Sequence, residues 1–314
     1  MTAAEPLRIA LLTTGPRPVA RAFAEFPERP VGIVEWDLPP PVRPAPVALA
    51  RTLAGRARAL ARGRRFSSAR QLCRAHGLAH AAIDKRDPEA LRRTLEAWRA
   101  DLVITSGCAI VPMDALGGLA AGAINLHPSA LPAWRGANPL FWQVATGEPR
   151  LAASVHRLAA GSDTGAVLGV TDVERPRGAS REALLEIADG ELGVALLHRV
   201  VRALAAEPGL AGTVQPATSP TPYARAVPDA AAAVPLDALS PERAWDLARY
   251  LGHCPAGWLA GLGVRTRVRW RALGPPRGDG ARTTDPAAPW RAERRGATLR
   301  LVRGKAFFAL APRP

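Results

Sequence analysis

Lysine is nearly absent from this 314-residue chain: of 42 basic side chains, all but Lys85 and Lys305 are arginine. Cysteine is scarce too. Cys73, Cys108 and Cys254 are far apart, odd in number, and outside any CxxC or His/Cys metal spacing. That argues against a disulfide framework and against a structural zinc, and it suits a reducing cytoplasm. No apolar run reaches the roughly 18 residues of a membrane-spanning helix. The N-terminus lacks the basic start of a secretory leader, so its short apolar stretch reads as a first strand.

What is present is arginine, alanine, proline and glycine in excess, with a net charge of +15. A charge of this size invites attraction to phosphate-bearing partners. The near-absence of lysine points instead to the residue bias of a GC-rich genome. Nine arginines and no acid lie between Arg43 and Arg74. This stretch reads either as a solvated helical face or as a rim that draws in an anionic substrate.

Apolar periodicity organises the rest. Short apolar runs at 8–12, 31–35, 101–105 and 122–126 read as buried strands, with helices at 19–25 and 87–99. The alternation predicts an α/β fold with a Rossmann-like, mostly parallel sheet. Strands are expected again at 151–157 and 166–173, then one long helix from Arg181 to Ala206. Residues 37–46 are proline-rich and read as a loop. Residues 207–222, rich in Pro, Gly, Ser and Thr, read as a linker. It would join a catalytic domain (1–206) to a smaller, β-rich, OB-like unit (223–314). That unit is expected to hold a helix at 241–251 capped by Ser240, a period-two strand over 264–271, a loop at 274–290 and a hairpin at 297–310.

The segment from Ile124 to Leu168 bears the chemistry. Asn125 and His127 are two apart at the end of a strand, so their side chains point the same way. Pro128 stops the strand and leaves His127 at the carboxyl edge, where open α/β sheets bind ligands. Asp163 follows 36 residues after the histidine, in a tight loop between Gly161 and Gly165. A carboxylate beside an imidazole orients it and raises its pKa. His156 sits near the same loop and reads as packing or orientation. His76, His80, His198 and His253 read as bystanders in helices or loops. No cluster has metal-ligand spacing, and Cys108, flanked by apolar residues, reads as a buried small residue and not a nucleophile.

The run INLHPSALPAWRG, with the aspartate of SDTG at this spacing, resembles the signature of the folate-dependent formyltransferases. The resemblance is clear over about residues 100–205. It implies transfer of a formyl group from N10-formyltetrahydrofolate to a primary amine, without an acyl-enzyme. It maps the catalytic roles onto Asn125, His127 and Asp163. Asn125 and a protonated His127 would stabilise charge on the formyl oxygen, and Asp163 would keep His127 charged. Folate contacts would fall on Cys108, Ala109, Ile110, Val111, Leu158, Gly161 and Asp163. Where relatives often carry a larger residue, this chain has Gly107. Ser129 and Arg135 are the expected acceptor contacts, with Arg135 equally able to pin its own loop. The expected acceptor is a small molecule, a peptide precursor or a nucleotide-linked amino sugar, with tRNA as the alternative and no membrane or metal partner. Hydrolysis of the formyl donor, or RNA binding without catalysis, are the rival readings.

Overall fold

In the computed structural model, residues 6–15, 17–37, 66, 68–227, 229–265, 268–277 and 288–312 are described. The proline-rich loop and most of the arginine-rich stretch lie outside them. Its last residues form a helix, Ala69–His76, capped by the Ser68 hydroxyl and closed by Gly77 in a left-handed conformation.

Seven strands form one sheet in the order β3-β2-β1-β4-β5-β6-β7. They are β1 (Arg8–Thr13), β2 (Arg29–Asp37), β3 (Ala79–Asp84), β4 (Leu102–Ser106), β5 (Gly122–His127), β6 (Arg150–Arg157) and β7 (Val167–Glu174). The first five run parallel, and β6 pairs antiparallel with β5. The sheet is thus the mostly parallel one expected. β3 has no counterpart in the sequence reading, because its small residues make a weak strand signal; it also moves His80 from a helical or loop context to a strand, where its Nε2 meets Glu35 at 2.9 Å.

Both faces of the sheet are covered. Leu11, Ile104, Leu126 and Val155 pack with the helices Pro18–Phe23 and Gly193–Ala206 on one side. Leu12, Val34, Val103 and Ala123 pack with the helix Pro88–Ala97 on the other. Parallel strands buried on both faces are why these segments read as continuous apolar runs. The expected long helix is interrupted: Arg181–Leu185 is α-helical, Glu186–Leu192 is a π-helix, and Gly193–Ala206 is α-helical again. Such π segments rotate one residue out of the regular helical face and recur at functional sites. No helix among the described residues is long and apolar enough to cross a membrane.

The chain divides into two compact units. The first comprises residues 1–135, 152–172 and 186–220; the second comprises 136–151, 173–185 and 221–314. In the second, the helix Pro139–Thr146 packs on Pro241–Leu251, whose first turn is capped by Ser240 as expected. Arg175 and Asp246 form a buried ion pair at 2.8 Å, and Asp246 also accepts from the Gly178 N–H at 2.6 Å. Its small antiparallel sheet runs β8-β11-β10-β9, with β8 at Trp270–Ala272, β9 at Trp290–Arg295, β10 at Thr298–Arg303 and β11 at Ala306–Pro312. The hairpin around Gly304 is therefore present. The period-two strand is shorter than expected. Residues 264–265 and 268–269 are not strand, 266–267 lie outside the described residues, and pairing with β11 begins only at Trp270. Alternation alone could not supply a neighbour for the earlier residues. Of the expected loop at 274–290, residues 278–287 lie outside the described residues, and Arg277 bridges to Phe307.

Candidate active site

Strand register builds the site. Thr105 on β4 faces Asn125 on β5, and Asn125 faces His156 on β6. This row of three polar side chains lies at the carboxyl edge of the sheet, with His127 two residues beyond Asn125. The Thr105 hydroxyl donates to Asn125 Oδ1 at 2.8 Å, which orients the amide so that its NH2 points into the site. Asn125 Nδ2 then lies 3.2 Å from Asp163 Oδ1 and 3.1 Å from His156 Nε2. Asp163 Oδ1 is also 3.3 Å from His156 Nε2 and 3.6 Å from His127 Nδ1. The structure therefore brings Asn125, His127 and Asp163 together, and adds His156 as a fourth member.

Two backbone carbonyls orient the imidazoles. His127 Nε2 is 3.0 Å from the Trp134 carbonyl, which can only accept, so Nε2 bears the proton and Nδ1 faces Asp163. His156 Nδ1 likewise donates to the Arg157 carbonyl at 2.8 Å. Trp134 turns its carbonyl inward by adopting a left-handed φ of 59°, at a cost of about 1–2 kcal/mol for a residue with a Cβ.

Burial works against a charge on His127. Desolvation pushes its pKa below the usual value, and the attraction of Asp163 only partly opposes this. This works against the expectation that Asp163 keeps His127 charged: the carboxylate is 3.6 Å away, beyond hydrogen-bond length, and desolvation of the buried ring favours the neutral imidazole. Burial also raises the Cys108 thiol to about 12, so it is not a thiolate at neutral pH.

The segment after β4 forms an apolar wall. Cys108, Ala109 and Leu158 pack on the cluster that contains Val111, while the Ile110 side chain is 80% exposed and its carbonyl accepts from Trp36 Nε1 at 3.2 Å. Gly161 is exposed at the start of the Asp163 loop. Gly107 has φ +54°, and a Cβ there would fall 1.9 Å from Arg17 Nη1, so the Arg17 guanidinium occupies the space of a larger residue at 107. Arg17 is held by Asp189, with Nε at 2.9 Å and Nη2 at 2.5 Å from Oδ2. Asp189 belongs to the π segment, is fully buried, and has its pKa raised by desolvation against the pull of Arg17.

Ser129 and Arg135 are occupied by the protein itself. The Ser129 hydroxyl is buried and donates to the Ala133 carbonyl at 2.7 Å. Arg135 is buried and donates to Gln215 Oε1 at 3.1 Å, to the Pro216 carbonyl at 2.8 Å and to the Ala217 carbonyl at 3.4 Å. Of the two readings of Arg135, this geometry is that of a loop pin. Sequence reasoning gave no role to Arg17, Thr105, Asp189 or Gln215. Only the neighbouring strand ends could have signalled Thr105; the others follow from tertiary contacts.

The open, mostly parallel α/β sheet is of the doubly wound class, and the amide, two imidazoles and carboxylate lie at the edge where such sheets bind ligands. Residues 45–188 match the formyl transferase family model. The methionyl-tRNA formyltransferase of Paracidovorax citrulli is 35% identical over 179 residues, covering 54% of this chain and 53% of that protein. The match thus spans about half the length of this curated relative. Among solved structures, a phosphoribosylglycinamide formyltransferase from Anaplasma phagocytophilum superposes with TM-score 0.50 at 17% identity, over 70% of this chain and 99% of that one. A variant of HypX from Aquifex aeolicus superposes with TM-score 0.53 at 12% identity, over 98% of this chain and 45% of that one. At these identities the two superpositions speak for the fold alone. The formyl transferase model matches less than half of this chain, over the residues that hold Asn125, His127 and Asp163.

Proposed function

We propose that this protein transfers a formyl group from N10-formyltetrahydrofolate to a primary amine. The observation that carries the reading is the convergence of Asn125, His127 and Asp163 within 3.6 Å at one sheet edge. The apolar wall of Cys108, Ala109 and Leu158, beside the exposed Ile110, suits a flat heteroaromatic ring, so the residues present fit the folate. When bound, the folate supplies the activated formyl carbon.

The side chains then divide the work. Asn125 exchanges its bond to Asp163 for the formyl oxygen and stabilises the charge that grows there. Neutral His127 accepts the amine's proton at Nδ1, and Asp163 stabilises the resulting imidazolium. The new C–N bond forms as the bond from the formyl carbon to the donor nitrogen breaks, and the proton held on His127 passes to that leaving nitrogen. Ile110, Val111, Leu158 and Gly161 line the donor's position. With the Ser129 hydroxyl donating to the Ala133 carbonyl and the Arg135 guanidinium to Gln215 Oε1 and the Pro216 and Ala217 carbonyls, the acceptor is read by other groups.

The acceptor we favour is the amine of a small molecule, a peptide precursor or a nucleotide-linked amino sugar. Aminoacyl-tRNA is the second reading, favoured by the relatives named methionyl-tRNA formyltransferase. Purified protein with the formyl donor, offered charged initiator tRNA and then a panel of primary amines, tests both. Formylation of an amine from the panel is the expected result, and formylation of the tRNA instead would exchange the two acceptors. Release of formate at the same rate without any amine would replace transfer by hydrolysis.

A further inference from the structure

Asp163 has φ +54°, a left-handed conformation that a non-glycine residue keeps only when its surroundings hold it there. The holding group comes from the Pro/Gly-rich segment 207–220, which belongs to the same unit. Thr213 and Val167 exchange backbone hydrogen bonds at 2.8 Å, which lays this segment beside the Asp163 loop. Gln215 Nε2 then donates to the Asp163 carbonyl at 2.9 Å and to the Gly165 carbonyl at 2.6 Å. Its Oε1 accepts from Arg135 Nε at 3.1 Å. The opposite amide orientation would set an oxygen against two carbonyls and an NH2 against a guanidinium, so the partners fix the assignment. One side chain thus ties Arg135 to the turn that contains Asp163, from a position 52 residues beyond it.

We infer that Gln215 is a positioning residue for the reaction: its amide sets the turn that aims the Asp163 carboxylate at Asn125 and His127. Arg135 acts on the chemistry through this amide, without touching the acceptor. The inference rests on the proposed role of Asp163, and its test includes a readout that does not depend on turnover.

Gln215→Glu keeps the length and the pairing with Arg135, but offers no donor to the two carbonyls. Gln215→Asn keeps an amide and withdraws it by one methylene, a milder change. Val214→Ala, at a neighbouring side chain that is 84% exposed, is the control. Steady-state kinetics, thermal melting and an NMR titration of the His127 imidazole would be measured on each. Besides Asp163, the groups acting on His127 are the Trp134 carbonyl, His156 and Asp189; Gln215 reaches the first of these through Arg135, so the Asp163→Asn background separates that route from the carboxylate.

A misaimed carboxylate is expected to lower kcat by about tenfold or more, with KM for the donor changed by less than about threefold. It should also move the His127 titration to lower pH, because a group that supports the charged ring has withdrawn. In an Asp163→Asn background the Gln215 substitutions should leave the titration unmoved, which a merely structural role would not predict. Wild-type titration and a kcat within about twofold in both Gln215 variants would overturn the inference. A shifted titration in a protein that transfers no formyl group would instead overturn the functional reading and leave the positioning role standing.

Discussion

Asn125 and Asp163, 38 positions apart in sequence, meet Nδ2 to Oδ1 at 3.2 Å across the mouth of the sheet. The bond needs the amide turned one way, and Thr105 on the neighbouring strand turns it. Asn125→Ala removes the donor proposed for the formyl oxygen. We expect kcat to fall by about 10²–10³-fold with donor affinity nearly kept, as for loss of one preorganised donor. Stopped-flow transfer rates alongside donor titration check it; an unchanged kcat would remove Asn125 from the chemistry.

The depressed pKa of His127 gives the proposed reaction a pH signature. Its folded-state pKa is depressed, so the ring charges only as pH falls below the ordinary histidine value. Activity is expected to plateau at neutral pH and to decline on the acid side. The stability sign is the same. Between the folded and unfolded pKa values the unfolded chain binds more protons, so this group's contribution is present above the unfolded value and lost as pH falls. A kcat profile that rises as His127 becomes protonated would contradict the assignment.

Arg17 and Gly107 form a matched pair. Gly107→Ala would drive a Cβ into the guanidinium and also force a left-handed φ on alanine. The conformational part alone costs about 1–2 kcal/mol. In an Arg17→Ala background the clash disappears and only that part should remain, so the two substitutions are expected to be non-additive in a denaturant-melt cycle. Strict additivity would mean that the guanidinium does not fill this space in solution.

Asp189 is buried and paired through one oxygen, while its Oδ1 has no hydrogen-bond partner. Arg17→Ala leaves that carboxyl group without a counter-ion, and we expect a loss of about 3–5 kcal/mol by analogy with other broken buried pairs. The raised pKa of Asp189 means its stabilising contribution is present below the unfolded value and lost as pH rises through the folded one. Asp189→Asn should flatten that part of the stability profile, measured by melting across the acid range.

The sequence by itself determined four of the five parallel strands, the stop at Pro128, the helix capped by Ser240 and the three residues that meet at the site. These follow from local facts: apolar runs, a proline that ends a strand, two side chains on one face, and a motif at a fixed spacing. Tertiary structure alone decided that the His127 pKa is pushed down, because burial outweighs the nearby carboxylate. It also decided that the second unit gathers residues 136–151 and 173–185 with 221–314, that the strand at 270–272 is short, and that Gln215 holds the Asp163 turn. The physical reason is common to all of these. Desolvation, strand partnership and hydrogen bonds between distant segments depend on which groups become neighbours, and periodicity along the chain does not contain that information.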